Sequence, residues 1–198
     1  AKMAKELTKL TRLAQQALTT RAHPTAACIG ISGLDDATAH NELERALVQE
    51  AWWRNIHADQ RLLMNDILIG MRAGTDTPYG IAIISGTGSN GYAIDPQGQE
   101  AHVSGRGLYM ADEGGGAMIG WDALHAMTQA EDGRGPNTAL LPAILAHFKT
   151  QDTAALTSIV NHPTFEKRDL GELNRIVEEC AAQGDRIAKE ILKEAAND

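Results

Sequence analysis

The chain has 198 residues, of which 43% are hydrophobic and 22% are charged, a composition typical of a folded globular protein rather than a disordered one. Its 26 acidic and 18 basic residues give a formal net charge of −8, and the sequence has no basic run of the kind that binds duplex nucleic acid. Two cysteines, Cys28 and Cys180, are too few for a disulfide framework or a cysteine-rich metal site. No apolar run approaches the roughly 18 residues that span a bilayer. We therefore expect a cytoplasmic protein with neither a nucleic-acid nor a membrane partner.

Helices and short strands alternate in the first part of the chain. Apolar residues at steps of three and four from Met3 to Ala17 predict a helix. The short apolar run 26–31, which contains Cys28, predicts a buried strand. A loop over 32–36 ends in two residues that favour a helix cap, Asp35 and Asp36. The next predicted elements are a helix over 37–50, a brief strand over 61–65 and a helix that begins at Asp66 and ends at Gly74.

Turn residues over 74–78 mark the predicted boundary between two lobes, residues 1–76 and residues 77–198. The run 79–85 (YGIAIIS) is the strongest strand pattern in the chain, and a glycine-rich turn over 86–91 separates it from a second strand over 92–94. The remaining patterns predict five helices, over 118–129, 138–148, 152–160, 169–182 and 184–196. Alternating strands and helices followed by a helical region predict an α/β fold.

The turn Gly86-Thr87-Gly88-Ser89-Asn90-Gly91 fits the spacing G-x-G-x-x-G. A dinucleotide-binding loop of that form must open a helix, whereas a strand follows here. We therefore interpret the turn as a β-hairpin tip that exposes backbone N–H groups and two hydroxyls. Its glycines allow the backbone to approach a phosphate closely. The alternative is a plain glycine-rich turn, although a tip of about six residues is longer than a tight hairpin needs.

Two acidic motifs are candidates for chemistry on a hydroxyl group. Asp66 follows Asn65 at a predicted strand end, where its carboxylate can accept a proton from a substrate hydroxyl. The alternative is that Asp66 only caps the helix that follows. Downstream, GRG at 105–107 precedes DEGG at 112–115, and carboxylates beside glycines suit the binding of sugar hydroxyls or of water around a metal. The alternative at the second motif is acidity favoured by a helix dipole.

These motifs together resemble a known family. The dipeptide ND at 65–66, GIAIISGTGSN at 80–90 and GRG-x4-DEGGGAMIG at 105–120 resemble the N-acetylglucosamine kinase group of the BadF/BadG/BcrA/BcrD-type ATPases. GISGLDD at 30–36 also fits that family. The group belongs to the actin-like, sugar-kinase and Hsp70 superfamily. The resemblance therefore implies an α/β, actin-like ATPase fold (ribonuclease H-like) in which two lobes close over ATP and a sugar.

The resemblance also implies roles for particular residues, matched motif by motif. Asp66 falls where the family has its catalytic base, which takes the proton from the 6-hydroxyl of the sugar as that oxygen attacks the γ-phosphate. The residues that fall on the phosphate-binding loop are Gly86, Thr87, Gly88 and Ser89. Those that fall beside the sugar are Asn65, Gly105 and Asp112. The implied cofactors are ATP and Mg²⁺, and the implied partner is a small sugar, with a homodimer left open.

The chain departs from the family pattern at several points. Arg106 stands where kinases of the group often have Trp, Ala111 replaces a usual Gly, and Gly115 replaces a usual Ser, which leaves the identity of the sugar open. Two alternatives remain: an activator ATPase of acyl-CoA reductases or dehydratases, which carries an iron–sulfur cluster, and a non-catalytic remnant that binds a sugar. Against the cluster, Cys28 lies in a buried-strand pattern and Cys180 on the apolar side of a helix, so we interpret both as core residues.

The family begins with an Asp-Gly-Gly-Gly-Thr phosphate loop and ends with an adenosine-binding segment, and neither pattern occurs in these residues. We therefore expect an internal fragment, incomplete at both ends, that does not phosphorylate sugars by itself. A coupled assay of ADP release across hexoses and amino sugars measures this. Steady turnover that survives repurification would contradict the expectation.

Overall fold

The computed structural model describes residues 2–18, 23–34 and 37–197, so the predicted cap residues Asp35 and Asp36 lie outside the described residues. The chain divides into two compact units. One is Ala1–Ala82 with Ile94–Gln99, and the other is Ile83–Ala93 with Glu100–Asp198. The predicted lobe boundary between Asp76 and Thr77 stays a prediction about the family fold.

The first unit combines short helices with a small parallel sheet. Its elements are α1 (Lys2–Ala17), β1 (Ala27–Gly30), α2 (Ala37–Leu47), α3 (Ala51–Arg54), β2 (Arg61–Met64) and α4 (Asp66–Gly74). All but α3 were predicted from the sequence, with ends shifted by up to three residues at α2. Strands β1 and β2 pair in parallel, with Ala27 opposite Arg61 and Gly30 opposite Met64.

The prediction that Cys28 is a core residue is wrong. Ala27, Ile29 and Leu63 belong to the apolar cluster that the sheet shares with the neighbouring helices. Because side chains alternate along a strand, Cys28 and its neighbour Leu62 lie on the other face of the sheet, and both are exposed. The apolar run resembles a strand covered on two faces, but the second face is open at Cys28 and Leu62, and Ile69 of α4 approaches it only beside Gly30.

A three-stranded sheet follows in the order β3 (Gly80–Ser85), β4 (Ser89–Ile94) and β5 (Glu100–Ser104). The connections over 86–88 and 95–99 are far too short for the crossover that parallel neighbours need, so the strands run antiparallel. Strand β4 begins at Ser89 rather than at Tyr92, so the predicted six-residue tip is wrong and the tip spans only residues 86–88. Strand β5 was not predicted, because Glu and Ala are depleted in strands.

Five helices complete the second unit and confirm the five predicted from periodicity: α5 (Gly116–Glu131), α6 (Leu140–His147), α7 (Thr153–Val160), α8 (Lys167–Ala182) and α9 (Arg186–Ala195). Their apolar faces form one core in which Met127, Ile144 and Leu173 are fully buried. Helices α5 and α8 approach so closely that a Cβ at Gly120 would overlap the carbonyl oxygen of Leu170. This contact fixes the start of α8 relative to the start of α5. None of the described helices is long and apolar enough to cross a membrane.

We expect the two thiols to differ in reactivity. Cys28 is exposed and Cys180 is buried. Burial, followed by the negative charges of Asp185 and Glu179, raises the pKa of the Cys180 thiol. Because the thiolate is the reactive form, we expect DTNB to modify one thiol quickly in the native protein and the second only on unfolding. Cys28→Ser should abolish the fast phase and Cys180→Ser should leave it, whereas two fast thiols would contradict the structure.

Candidate functional site

In the first unit, the candidate base lies where β2 ends and α4 begins. Asn65 is the N-cap of α4, because its Oδ1 accepts the backbone N–H of Ile67 at 2.9 Å. Asp66 is the first residue of the helix. The alternative in which Asp66 serves only as the cap is therefore wrong, and its carboxylate is not needed for that role. The predicted contact of Asn65 with a sugar stays a prediction.

Asp66 also lies at the edge of the sheet where open α/β folds bind their ligands, outside the carboxyl ends of parallel strands. Strand β1 ends at Gly30 beside Met64, the last residue of β2, and the N–H of Ile31 donates to the Met64 carbonyl oxygen at 3.1 Å. The backbone of Asp66 lies against Gly30. Both strand ends therefore hold the half-buried Asp66 in a fixed position.

In the second unit, the hairpin tip is held by the first turn of α5. The N–H of Gly116 donates to the carbonyl oxygen of Gly86 at 2.8 Å, and the N–H of Ala117 donates to that of Thr87 at 2.9 Å. These two donors have no partner inside their own helix, so the hairpin satisfies them. The N–H groups of Thr87 and Gly88 take no part in these bonds. The tip is thus a preorganised loop, held by its carbonyl oxygens.

An ion pair between buried Asp112 and partly exposed Lys167 lies beside the tip. The Asp112 carboxylate accepts the Lys167 ammonium at Oδ2 and the N–H of Ser89 at Oδ1, the latter at 3.3 Å. Asp112 has a φ of 72°, a left-handed conformation that Asp adopts more readily than most residues. A Cβ at Gly88 would lie 2.5 Å from Lys167 Nζ and 2.6 Å from Asp112 Oδ1. Only glycine at position 88 therefore allows the ion pair to lie so close to the tip.

The hydroxyl of Ser104 connects the glycine-rich turn with the DEGG motif. It accepts the N–H of Asp112 at 3.0 Å and donates to Glu113 Oε2 at 3.0 Å. Ser89 Oγ lies 3.1 Å from Ser104 Oγ. Because Ser104 has one hydroxyl proton and gives it to Glu113, Ser89 is the donor in this third bond. The end of β5 thus fixes Ser89 and both carboxylates in one network.

Gly105, with a φ of 69°, lies against the side chain of Asn90. The Oδ1 of Asn90 is 2.6 Å from Nε2 of His102, which fixes the orientation of the Asn90 amide. Further along β4, burial raises the pKa of Tyr92, and a hydrogen bond to Glu100 raises it further. The raised pKa keeps the Tyr92 hydroxyl protonated, which suits its hydrogen bond to Glu100.

The structure thus groups the predicted phosphate loop with Asp112 in the second unit and keeps Asn65 with Asp66 in the first. Their roles stay predictions. Sequence reasoning missed Lys167, although a cation in the first turn of a helix opposes the helix dipole and is a usable signal. It also missed Ser104, for which the sequence offers no signal. Within the ranges that the structure describes, no group of three or more His, Cys, Asp or Glu residues is arranged to hold a metal ion.

Relatives with curated names and solved structures match most of the chain. An N-acetylmuramic acid/N-acetylglucosamine kinase of Clostridium acetobutylicum is 32% identical over 174 residues, which cover 88% of this chain and 55% of that protein. An N-acetyl-D-glucosamine kinase of Dictyostelium discoideum is 29% identical over 174 residues, covering 86% and 53%. The chain therefore spans about half the length of the curated relatives it matches.

The crystal structure of a candidate N-acetylglucosamine kinase of Chromobacterium violaceum superposes with a TM-score of 0.74 at 26% identity, over 96% of this chain and 63% of that one. This match confirms the predicted α/β, actin-like ATPase fold. The sequence profile of the BadF/BadG/BcrA/BcrD ATPase family matches residues 4–198. The motifs, the fold and this match agree, and the chain belongs to the BadF/BadG/BcrA/BcrD ATPase family.

Proposed function

We propose that this chain is part of the catalytic core of an ATP-dependent kinase that phosphorylates the 6-hydroxyl of an amino sugar of the N-acetylglucosamine type. The observation that carries the proposal is the glycine-rich tip over 86–88, held by α5 through its carbonyl oxygens. The names of both curated relatives support the substrate class and do not favour the activator-ATPase alternative.

The tip suits the phosphates of ATP. Transfer of a phosphoryl group depends on positioning and on stabilisation of charge more than on covalent chemistry by the protein. Of the proposed residues Gly86, Thr87, Gly88 and Ser89, the N–H groups of Thr87 and Gly88 face a phosphate without competition, because the N–H of Gly86 donates to the Gly88 carbonyl oxygen and that of Ser89 donates to Asp112. The hydrogen bonds from Gly116 and Ala117 hold this loop in place before the nucleotide binds. The loop backbone therefore needs little rearrangement during the reaction.

Mg²⁺ fits this site as an ion that enters with the nucleotide. Such an ion keeps several waters and needs only one or two carboxylates besides the phosphates, and the described residues hold no larger carboxylate group. Glu113 is exposed and follows Asp112, so it is the carboxylate that we assign to the water shell of the ion. When bound, Mg²⁺ neutralises charge on the β- and γ-phosphates.

Asp66 is the proposed base. Its carboxylate accepts the proton of the sugar 6-hydroxyl while that oxygen forms a bond to the γ-phosphorus and the bond from the γ-phosphorus to the β-phosphate oxygen breaks, which releases ADP. Asn65, Gly105 and Asp112 are the proposed residues on the sugar side. The cytoplasm is the proposed setting, which suits a free, exposed thiol such as Cys28. A homodimer remains an open proposal for the full protein.

Asp66→Asn in the full protein tests the base. Asn keeps the size of the side chain and leaves the cap residue Asn65 unchanged, but its amide accepts no proton. We expect kcat to fall by ~10²–10⁴-fold, with the Kd for N-acetylglucosamine and the Tm little changed. Steady-state kinetics, calorimetric titration with the sugar and thermal unfolding measure the three quantities.

Asp76→Asn is the matched control, because Asp76 is an exposed carboxylate just beyond the end of α4. We expect its kcat to equal that of the unchanged protein. A near-normal kcat in Asp66→Asn would refute the assignment of the base and leave Asp112 and Glu113 as the next candidates.

A further inference from the structure

We propose that Lys167 supplies the positive charge of the phosphate site, where its ammonium binds a phosphate group of the nucleotide while Asp112 holds the side chain in place. This inference rests on the proposed function. Neither the motifs nor the family resemblance assigned a role to Lys167.

The first argument is proximity. The ammonium of Lys167 bonds to Asp112 and lies so near Gly88 that a single added methyl group at Gly88 would be 2.5 Å from Nζ. One turn along α8, a Cβ at Gly171 would lie 3.0 Å from the Thr87 methyl group. The first turn of α8 therefore lies alongside the tip over 86–88, and Lys167 is the residue of this turn whose ammonium lies next to Gly88.

The second argument is that one partner of the ion pair is much more exposed than the other. The side chain of Asp112 is 4% exposed, whereas that of Lys167 is 38% exposed. Solvent therefore reaches the cation far more than the anion. A lysine ammonium has three protons to donate, so a bond to Asp112 leaves donors for a second anion. A charge-assisted bond of this kind to a phosphate oxygen is among the stronger hydrogen bonds in proteins.

The third argument is the position of Lys167 in its helix. The N-terminus of a helix carries a partial positive charge, so a cation there is unfavourable by itself. Glu166 and Asp169 already satisfy this end of α8 through a capping box, so Lys167 is not needed to start the helix. The helix dipole and the more exposed ammonium both favour an anion at this end of α8.

A purely structural ion pair is the competing explanation, and the two make different predictions for nucleotide binding. If Lys167 only neutralises Asp112, its loss disturbs the tip over 86–88 and changes the affinities for ADP and for adenosine alike. If Lys167 binds a phosphate, its loss weakens the binding of ADP but not that of adenosine, which lacks phosphates. A substitution that leaves Asp112 buried without a partner also destabilises the protein, so the test includes a variant that removes both charges.

The experiment measures Kd for ADP, adenosine and N-acetylglucosamine by calorimetric titration of the full protein, with Tm measured in parallel. In Lys167→Met we expect the Kd for ADP to rise roughly 10- to 100-fold, with the Kd for adenosine and for the sugar unchanged. Lys167→Arg should retain most of the affinity for ADP. Arg168→Met, which removes an exposed cation from the same helical turn, should bind ADP normally at low and at high salt.

The double variant Asp112→Asn/Lys167→Met decides between the two explanations. We expect its Tm to return towards that of the unchanged protein, while its Kd for ADP stays as high as in Lys167→Met. Restored ADP affinity in the double variant, normal ADP affinity in Lys167→Met, or a loss confined to the sugar would each overturn the proposal. If the unchanged protein bound no ADP, the proposed function would fail as well. Normal turnover in Asp66→Asn would refute only the base and leave Lys167 in place.

Discussion

The two hydrogen bonds from the start of α5 to the hairpin tip fix the geometry of the candidate phosphate site. They use donors that the helix cannot satisfy itself and carbonyl oxygens that the turn leaves unpaired, at 2.8 Å and 2.9 Å. The same start of α5 follows the DEGGG run, so it also sets the position of Asp112. Helix α8 then packs against α5 through Gly120 and brings Lys167 to the tip. The start of α5 thus positions the tip and Asp112, and the packing of α8 on α5 positions Lys167.

This chain of contacts explains why the site needs glycine at several places. The backbone of the tip, the ion pair and two helices meet within a few ångströms of Gly88. A side chain at position 88 would compete with Lys167 and Asp112 for the same space. Glycine is required at position 88 because Lys167 and Asp112 occupy the space of a side chain. From the sequence alone, the same glycine suggests flexibility. A loop packed on all these sides has little freedom left, which is what preorganised binding of phosphates requires.

Sequence reasoning succeeded where a pattern is repeated over many residues and failed where one contact decides. The five helices of the second unit have apolar residues at regular steps over two to four turns, and all five were predicted. Strand β5 (EAHVS) has no such pattern, and it forms because β4 lies beside it. Cys28 was assigned to the core because a short apolar run does not reveal which face of a strand is covered. The ion pair joins residues 55 positions apart, a distance at which local patterns carry no information.

The net charge of −8 at first argues against a protein that holds a nucleotide, because the whole molecule repels anions. At physiological ionic strength, however, charges farther apart than about 8 Å are largely screened. A phosphate bound at the candidate site would therefore respond to the groups in contact with it more than to the rest of the surface. Those groups are backbone N–H donors, the positive ends of two helices and the Lys167–Asp112 ion pair, whose carboxylate is buried and whose ammonium is the more exposed partner. An acidic protein can thus present a locally positive site, and the composition alone does not reveal it.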